Sequence, residues 1–237
     1  VGEALQHVRG QDAAHRAGGS KVLQQGFLSA HHVYRFGALL LVVGSLLGLH
    51  LAVVAASPAL LVLGACGVLA GWQYSAPPLL LGRSPGGDGL LLLIFGPGLC
   101  LGASLATGAT PSLEPLLIGL IGSLVTALPR QLRNLRRLPD DALLGQQTLT
   151  ARLGFRRALR VLPWLAMGWC LAPVLASLSG LLPASSTFAL LAAPALVWAL
   201  GPARGAFAPH DPALRRAERR VHWVSVAYGL GLLLAVT

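Results

Sequence analysis

The chain has 237 residues, 54% of them hydrophobic and only 11% charged, with a mean hydropathy of +0.68. A water-soluble domain of this length could not hide so much apolar surface, so the composition excludes one and implies an integral membrane protein. The net charge of +10 is no nucleic-acid signal either, because nearly all of the basic residues, arginine except for Lys21, sit between apolar blocks.

Residues 1–33, VGEALQHVRGQDAAHRAGGSKVLQQGFLSAHHV, are polar. His31 and His32 lie in this stretch with no third ligand spaced to complete a metal site, which leaves them as residues near lipid headgroups. Apolar segments of bilayer-crossing length, roughly 17–25 residues, then follow at 35–56, 58–76, 89–109, 113–129, 158–181, 184–203 and 221–237. The single cysteines Cys66, Cys100 and Cys170 fall inside these segments and form no CxxC pair, so neither a disulfide framework nor a zinc site is indicated.

The connections alternate in charge. Those near 55–58, 107–115 and 179–186 carry at most Glu114, whereas Arg9, Arg16 and Lys21 precede the first segment and Arg83 follows the second. The cluster Arg130–Arg160 follows the fourth, and Arg204, Arg215, Arg216, Arg219 and Arg220 follow the sixth. Seven crossings with the basic connections cytoplasmic satisfy the positive-inside rule. Away from their ends the segments contain no Asp, Glu, Lys or Arg, and the last has no lysine for retinal. This argues against a seven-helix transporter or receptor, the alternative of another class, because transporters and pumps commonly bury ionisable groups at membrane depth. His222 and Trp223, at the start of the last segment, suit interfacial anchoring.

Three stretches carry the chemistry. The first is Glu3, Gln6, Asp12, Arg16, Gly18 and Lys21. The second runs Gln73-Tyr74-Ser75-Ala76-Pro77-Pro78, then Arg83, Pro85-Gly86-Gly87-Asp88 and Phe95-Gly96-Pro97. In it the two prolines should stop a helix by removing amide donors, and the glycines should allow a tight loop. The third is RNLRRLPDDALLGQQTLTARLG, residues 133–154, read as a charged loop between membrane helices in which Pro139 opens a new turn.

The third stretch resembles the second signature of the UbiA superfamily of intramembrane prenyltransferases, most closely the 1,4-dihydroxy-2-naphthoate branch, N-N-x-R-D-x-x-x-D-x-x-x-G-K-x-T-L-x-x-R-L-G. Asn134, Arg136, Asp141, Gly145, Thr148, Leu149, Arg152, Leu153 and Gly154 fall in register without a gap. Arg133, Arg137 and Gln146 depart from it at the first Asn, the first Asp and the Lys. The second stretch is similar to the family's Y-[ST]-x-P-P, G-L-G-E and F-F-G-P motifs, with Asp88 at the Glu position. The first is similar to N-D-x-x-D-x-x-x-G-x-D, with Glu3, Gln6 and Asp12 at the three aspartates.

The resemblance implies an all-α polytopic bundle forming one domain over 1–237. Seven of an expected nine helices are then present, the first two being absent, around a lipid-accessible cavity capped by loops 1–33, 76–88 and 130–157. It implies transfer of a polyprenyl group from polyprenyl diphosphate to an aromatic acceptor such as 1,4-dihydroxy-2-naphthoate, in menaquinone biosynthesis, at the cytoplasmic face of a bacterial-type plasma membrane. Mg²⁺ would be held by Glu3, Asp12, Asp140 and Asp141. Arg136, Arg137, Lys21 and Arg152 would surround the diphosphate, and Asn134 and Tyr74 would orient the acceptor. Because Arg137 stands where a carboxylate is expected, a copy that keeps the fold without transfer is the alternative.

Overall fold

The computed structural model describes Ala4, His7, Val8, Leu23 and residues 25–76 and 78–236, the side chains of 188, 189 and 231–236 excepted. The described elements are helical, with no strand among them. Helix α1 (Ala30–Val54) opens on Ser29, whose hydroxyl accepts the His32 amide, so the two histidines stand in its first turn. Helix α2 (Pro58–Ser75) has Ser57 as its cap and a proline in its first turn, where the missing amide costs nothing. It ends ahead of the proline pair, as the sequence implies.

The third apolar segment is not one regular helix. It divides into α3 (Gly87–Leu93), a π-turn (Ile94–Gly98) and α4 (Leu99–Ala106). Pro97 supplies no amide and lies in the widened turn. The bulge puts Gly96 against Gly119 of α5 (Glu114–Leu143) so closely that a Cβ on Gly96 would stand 2.4 Å from the Gly119 carbonyl oxygen. A Cβ on Gly119 would stand 2.6 Å from the Gly96 backbone.

Helix α5 corrects the sequence reading most. The loop expected at 130–157 is helical as far as Leu143, and Pro139 lies inside that helix and does not begin a new turn. The reason is an apolar stripe that runs through the charged stretch. Leu128, Leu132 and Leu135, spaced i, i+4, i+7, are fully buried, and Leu138 extends them. Thirty residues at 1.5 Å each give a helix of about 45 Å, against a hydrocarbon core of about 30 Å, so its polar end stands clear of the apolar layer.

Gly145, at a φ of 63°, turns the chain into the short α6 (Leu149–Leu153), capped by the Thr148 hydroxyl. After Gly154 the chain enters α7 (Phe155–Leu178), then a 3₁₀ stretch (Ala184–Leu191) continued by α8 (Ala192–Arg204). The last helix, α9 (Pro212–Val236), begins nine residues before the expected segment, because Asp211 accepts the Ala213 amide as a cap and the turns that follow are helical. Among the described residues six helical segments are long and apolar enough to cross a membrane, and α9, whose first turns are charged, carries the seventh apolar segment.

The core lies where α5, α7, α8 and α9 meet. Leu132, Leu135, Ala158, Ala199, Leu214, Ala217 and Val221 are buried there, and the Trp169 and Tyr228 rings meet edge to face with centroids 5.2 Å apart. Small residues on α8 and α9 let the helices approach closely, as helices in lipid require. Helices α1 and α2 pack on each other and present largely apolar exposed surfaces.

Replacing Gly119 with alanine should therefore lower stability by about 1–3 kcal/mol through overpacking against the π-turn. Gly122→Ala, one turn along the same helix with open space at its Cβ, should be neutral or stabilising by less than about 1 kcal/mol. Thermal unfolding of the two variants in detergent checks the contrast.

Candidate active site at the polar end of helix α5

The charged half of α5 carries two neighbouring stripes. At about 100° per residue, Arg130, Asn134, Arg137 and Asp141 fall on one, and Pro129, Arg133, Arg136 and Asp140 on the next. Adjacent aspartates are thereby sent to different faces of one helix.

The first stripe meets the connection after α2. Arg130 donates from Nε to Asp88 Oδ1 at 2.6 Å and from Nη2 to the Tyr74 hydroxyl at 3.0 Å. Asn134 donates from Nδ2 to Asp88 Oδ2 at 2.6 Å. One carboxylate thus receives a guanidinium and an amide on its two oxygens, and Tyr74 is tied to the same arginine. The ion pair is largely shielded, with side-chain exposures of 29% for Arg130 and 22% for Asp88.

Local backbone fixes this arrangement. A Cβ on Gly82 would lie 2.9 Å from the Tyr74 ring, and one on Gly87 2.3 Å from the Leu81 carbonyl oxygen. Glycine is required at both places for the turn to close beneath Tyr74. The turn is sharp enough that Leu80 takes a left-handed φ of 47°. The Gln147 amide then donates to the Arg83 carbonyl oxygen at 3.0 Å, joining this connection to the one after α5.

The second stripe meets α9. Arg133 donates to Glu218 at 3.2 Å, and Arg136 pairs with the other oxygen of the same carboxylate. Beside them is a polar cavity of about 300 Å³ lined also by Pro129, Arg215, Arg219 and His222. The last helix therefore contributes to the polar end, although its arginines read in sequence only as topology signals.

At the end of α5, Asp140 and Asp141 are both buried. The Thr148 hydroxyl donates to Asp141 Oδ2 at 3.3 Å while also capping α6, so the aspartate is fixed from the far side of the turn. Thr150 donates to Gln131 Oε1, and Gln131 donates to the Ala158 carbonyl oxygen, which ties α6 and α7 to α5.

The structure thus joins Tyr74 and Asn134 in one network, places Asn134, Arg137 and Asp141 on one stripe, and links Arg136 to α9. Arg152 is exposed and donates to Gln147 Oε1 at 3.0 Å. Glu3, Asp12 and Lys21 lie outside the described residues. Among the described residues no group of three His, Cys, Asp or Glu side chains could hold a metal ion. Arg130 and Glu218 escaped sequence reasoning. The helical spacing of Arg130 from Asn134 was the available signal for the first, and nothing local pointed to the second.

Because Arg136 is only 18% exposed and Arg133 is 53% exposed, their shared carboxylate matters unequally to them. Glu218→Gln should cost about 1–3 kcal/mol by leaving Arg136 shielded without its acid. Arg133→Gln should stay within about 0.5 kcal/mol, as exposed pairs do. Thermal unfolding of both variants reads this.

No curated protein and no solved structure matches the chain significantly. The sequence model of the UbiA prenyltransferase family, however, matches residues 9–226, spanning every element of the site just described. A helical bundle whose polar connections converge on one long helix, matched over nearly its whole length, places this chain in the UbiA prenyltransferase family.

Proposed function

We propose that the chain transfers a polyprenyl group from a polyprenyl diphosphate to an aromatic acceptor, most closely 1,4-dihydroxy-2-naphthoate on the way to menaquinone. The supporting observation is the Tyr74–Arg130–Asp88–Asn134 network, which brings two of the three motif stretches into one polar surface beside buried Asp141. Membership of a family of membrane prenyltransferases supplies the reaction class. In this reading the surface faces the cytoplasm, the side that the positive-inside rule favours for its basic connections, and the membrane is a plasma membrane of the bacterial type.

In this reading the carbon–oxygen bond to the diphosphate breaks, and the electron-rich acceptor ring supplies the pair for the new carbon–carbon bond. Arg136, Arg137 and Lys21 offset the charge of the departing diphosphate by charge-assisted contacts, with Arg152 at the outer edge. Asn134 and Tyr74 orient the acceptor. Asn134 is already held by Asp88, and the Tyr74 hydroxyl, which accepts from Arg130, keeps its own proton to donate.

The carboxylates of Asp140 and Asp141 are hard oxygen donors of the kind Mg²⁺ takes, and that ion is commonly held by one or two carboxylates together with substrate phosphate oxygens. Because Asp140 and Asp141 leave α5 on different faces, each would make its own contact to Mg²⁺, with Glu3 and Asp12 completing the set, and the bound metal would neutralise diphosphate charge.

A second reading is favoured by one observation. Arg137 occupies the stripe of Asn134 and Asp141 where the family pattern has an acid, so the chain could keep the fold without transfer. Mg²⁺-dependent transfer of labelled polyprenyl diphosphate to 1,4-dihydroxy-2-naphthoate in membranes carrying the chain separates the two. Transfer is expected, and Asp141→Asn should lower it about 100-fold, the scale for removing one preorganised electrostatic contact. No product from the chain, with product from Arg137→Asp, Gln146→Lys, would establish the second reading.

A further inference from the structure

A cleft of about 510 Å³ lies between α7 and α8, on elements that take no part in the Tyr74–Asp88–Asn134 network. Its floor is apolar and buried, formed by Leu162, Cys170, Leu196 and Leu200. Its rim is exposed, with Met167, Leu171 and Val197 each more than a third accessible, so it opens sideways where the bilayer would lie. Volume and lining both suit an alkyl chain.

One end of the cleft is polar. Arg204, the last residue of α8, closes it beside Leu159. On α7 the lining residue Leu159 has Arg156 three residues before it, toward the helix start, and the lining residue Pro163 has Arg160 three residues before it, so both arginines stand at helical spacing from the cleft. The Arg156 guanidinium lies 5.8 Å from the centroid of the Phe207 ring, in the connection that follows Arg204, which brings it to the same mouth. The acids that could neutralise this mouth are committed elsewhere. Asp211 accepts the Phe207 and Ala213 amides, and Glu218 takes Arg133 and Arg136. Among the described residues no carboxylate pairs with Arg156, Arg160 or Arg204.

We infer that this cleft is a binding site for an anionic glycerophospholipid of the surrounding bilayer, one acyl chain lying along Leu162–Cys170 and Leu196–Leu200 and the phosphate facing Arg204, Arg156 and Arg160. Basic pockets between transmembrane helices recognise acidic headgroups in this way. The occupant is a bilayer lipid and not the transfer substrate, because the cleft opens to the side of the bundle and, among the described residues, its mouth offers cations with no paired carboxylate for a magnesium diphosphate. The inference stands on the cleft alone and does not depend on the transfer reading.

The test uses the full chain purified in detergent and equilibrated with equal amounts of dioleoyl phosphatidylglycerol and dioleoyl phosphatidylcholine. Retained lipid is quantified by mass spectrometry. Phosphatidylglycerol should be retained at least about five-fold over phosphatidylcholine, the scale for one basic residue near an anionic headgroup. Arg204→Gln, an exposed substitution that leaves the fold alone, should lower the ratio about five-fold, the Arg156→Gln, Arg160→Gln, Arg204→Gln triple variant should bring it close to one, and Ala193→Trp, which fills the cleft, should do the same. Arg35→Gln, a basic residue of α1 remote in sequence from the cleft, should leave it unchanged. Equal retention by the unaltered chain, a preference undiminished by Arg204→Gln or surviving the triple arginine variant or Ala193→Trp, a loss caused equally by Arg35→Gln, or displacement of the lipid by equimolar farnesyl diphosphate would each overturn the inference.

Discussion

A single carboxylate organises the polar end of this bundle. Asp88 stands at the start of α3 and receives Arg130 and Asn134, one turn apart on α5, on its two oxygens. Helix α5 extends beyond the apolar layer, so its final turns gain little from lipid and need polar ties to hold them. Asp88 ties one stripe to the connection after α2, and Glu218 ties the neighbouring stripe to α9. The helix is thereby fixed on two sides by charge, at the level where a diphosphate headgroup would arrive, while the leucine stripe on its third side fixes it by burial.

This placement has a chemical consequence. Arginines facing a membrane would bind any anionic headgroup; arginines already satisfied by one acid each are held in position and partly neutralised. Arg130 is held by Asp88 and Tyr74, and Arg136 is held through Nη1 by Glu218, which fixes its position and leaves its other N–H groups for an anion. Asp140 and Asp141 diverge around the helix, so a ligand bridging them would span two faces and not one. The substitution of Arg137 for an acid matters because it alters the same stripe as Asn134 and Asp141.

The presence and order of the apolar helices were legible from hydropathy, since a run of about 20 apolar residues in lipid leaves the helix as the only simple way to pair its backbone, but the ends of α5 and α9 were not. The helical character of 130–143 was hidden by its arginines, although Leu128, Leu132, Leu135 and Leu138 already carried the period. The π-turn was signalled by Pro97 but not its partner, because the Gly96–Gly119 contact is a tertiary event between distant segments. Tyr74, Asn134 and Asp88 could be chosen from motif wording, but Glu218 could not. Its role arises from α9 crossing α5, a packing result that no local pattern encodes.

The polar end of α5 depends on the Asp88–Arg130 pair as a specific tie and not as an incidental surface contact. A double-mutant cycle of Asp88→Asn and Arg130→Gln, read by thermal unfolding in detergent, measures this directly. A coupling of at least about 1 kcal/mol is predicted, as for contacting members of one shielded network. Effects that add to within about 0.3 kcal/mol would mean that the two residues act independently, and the polar end of α5 would then be held by something other than Asp88.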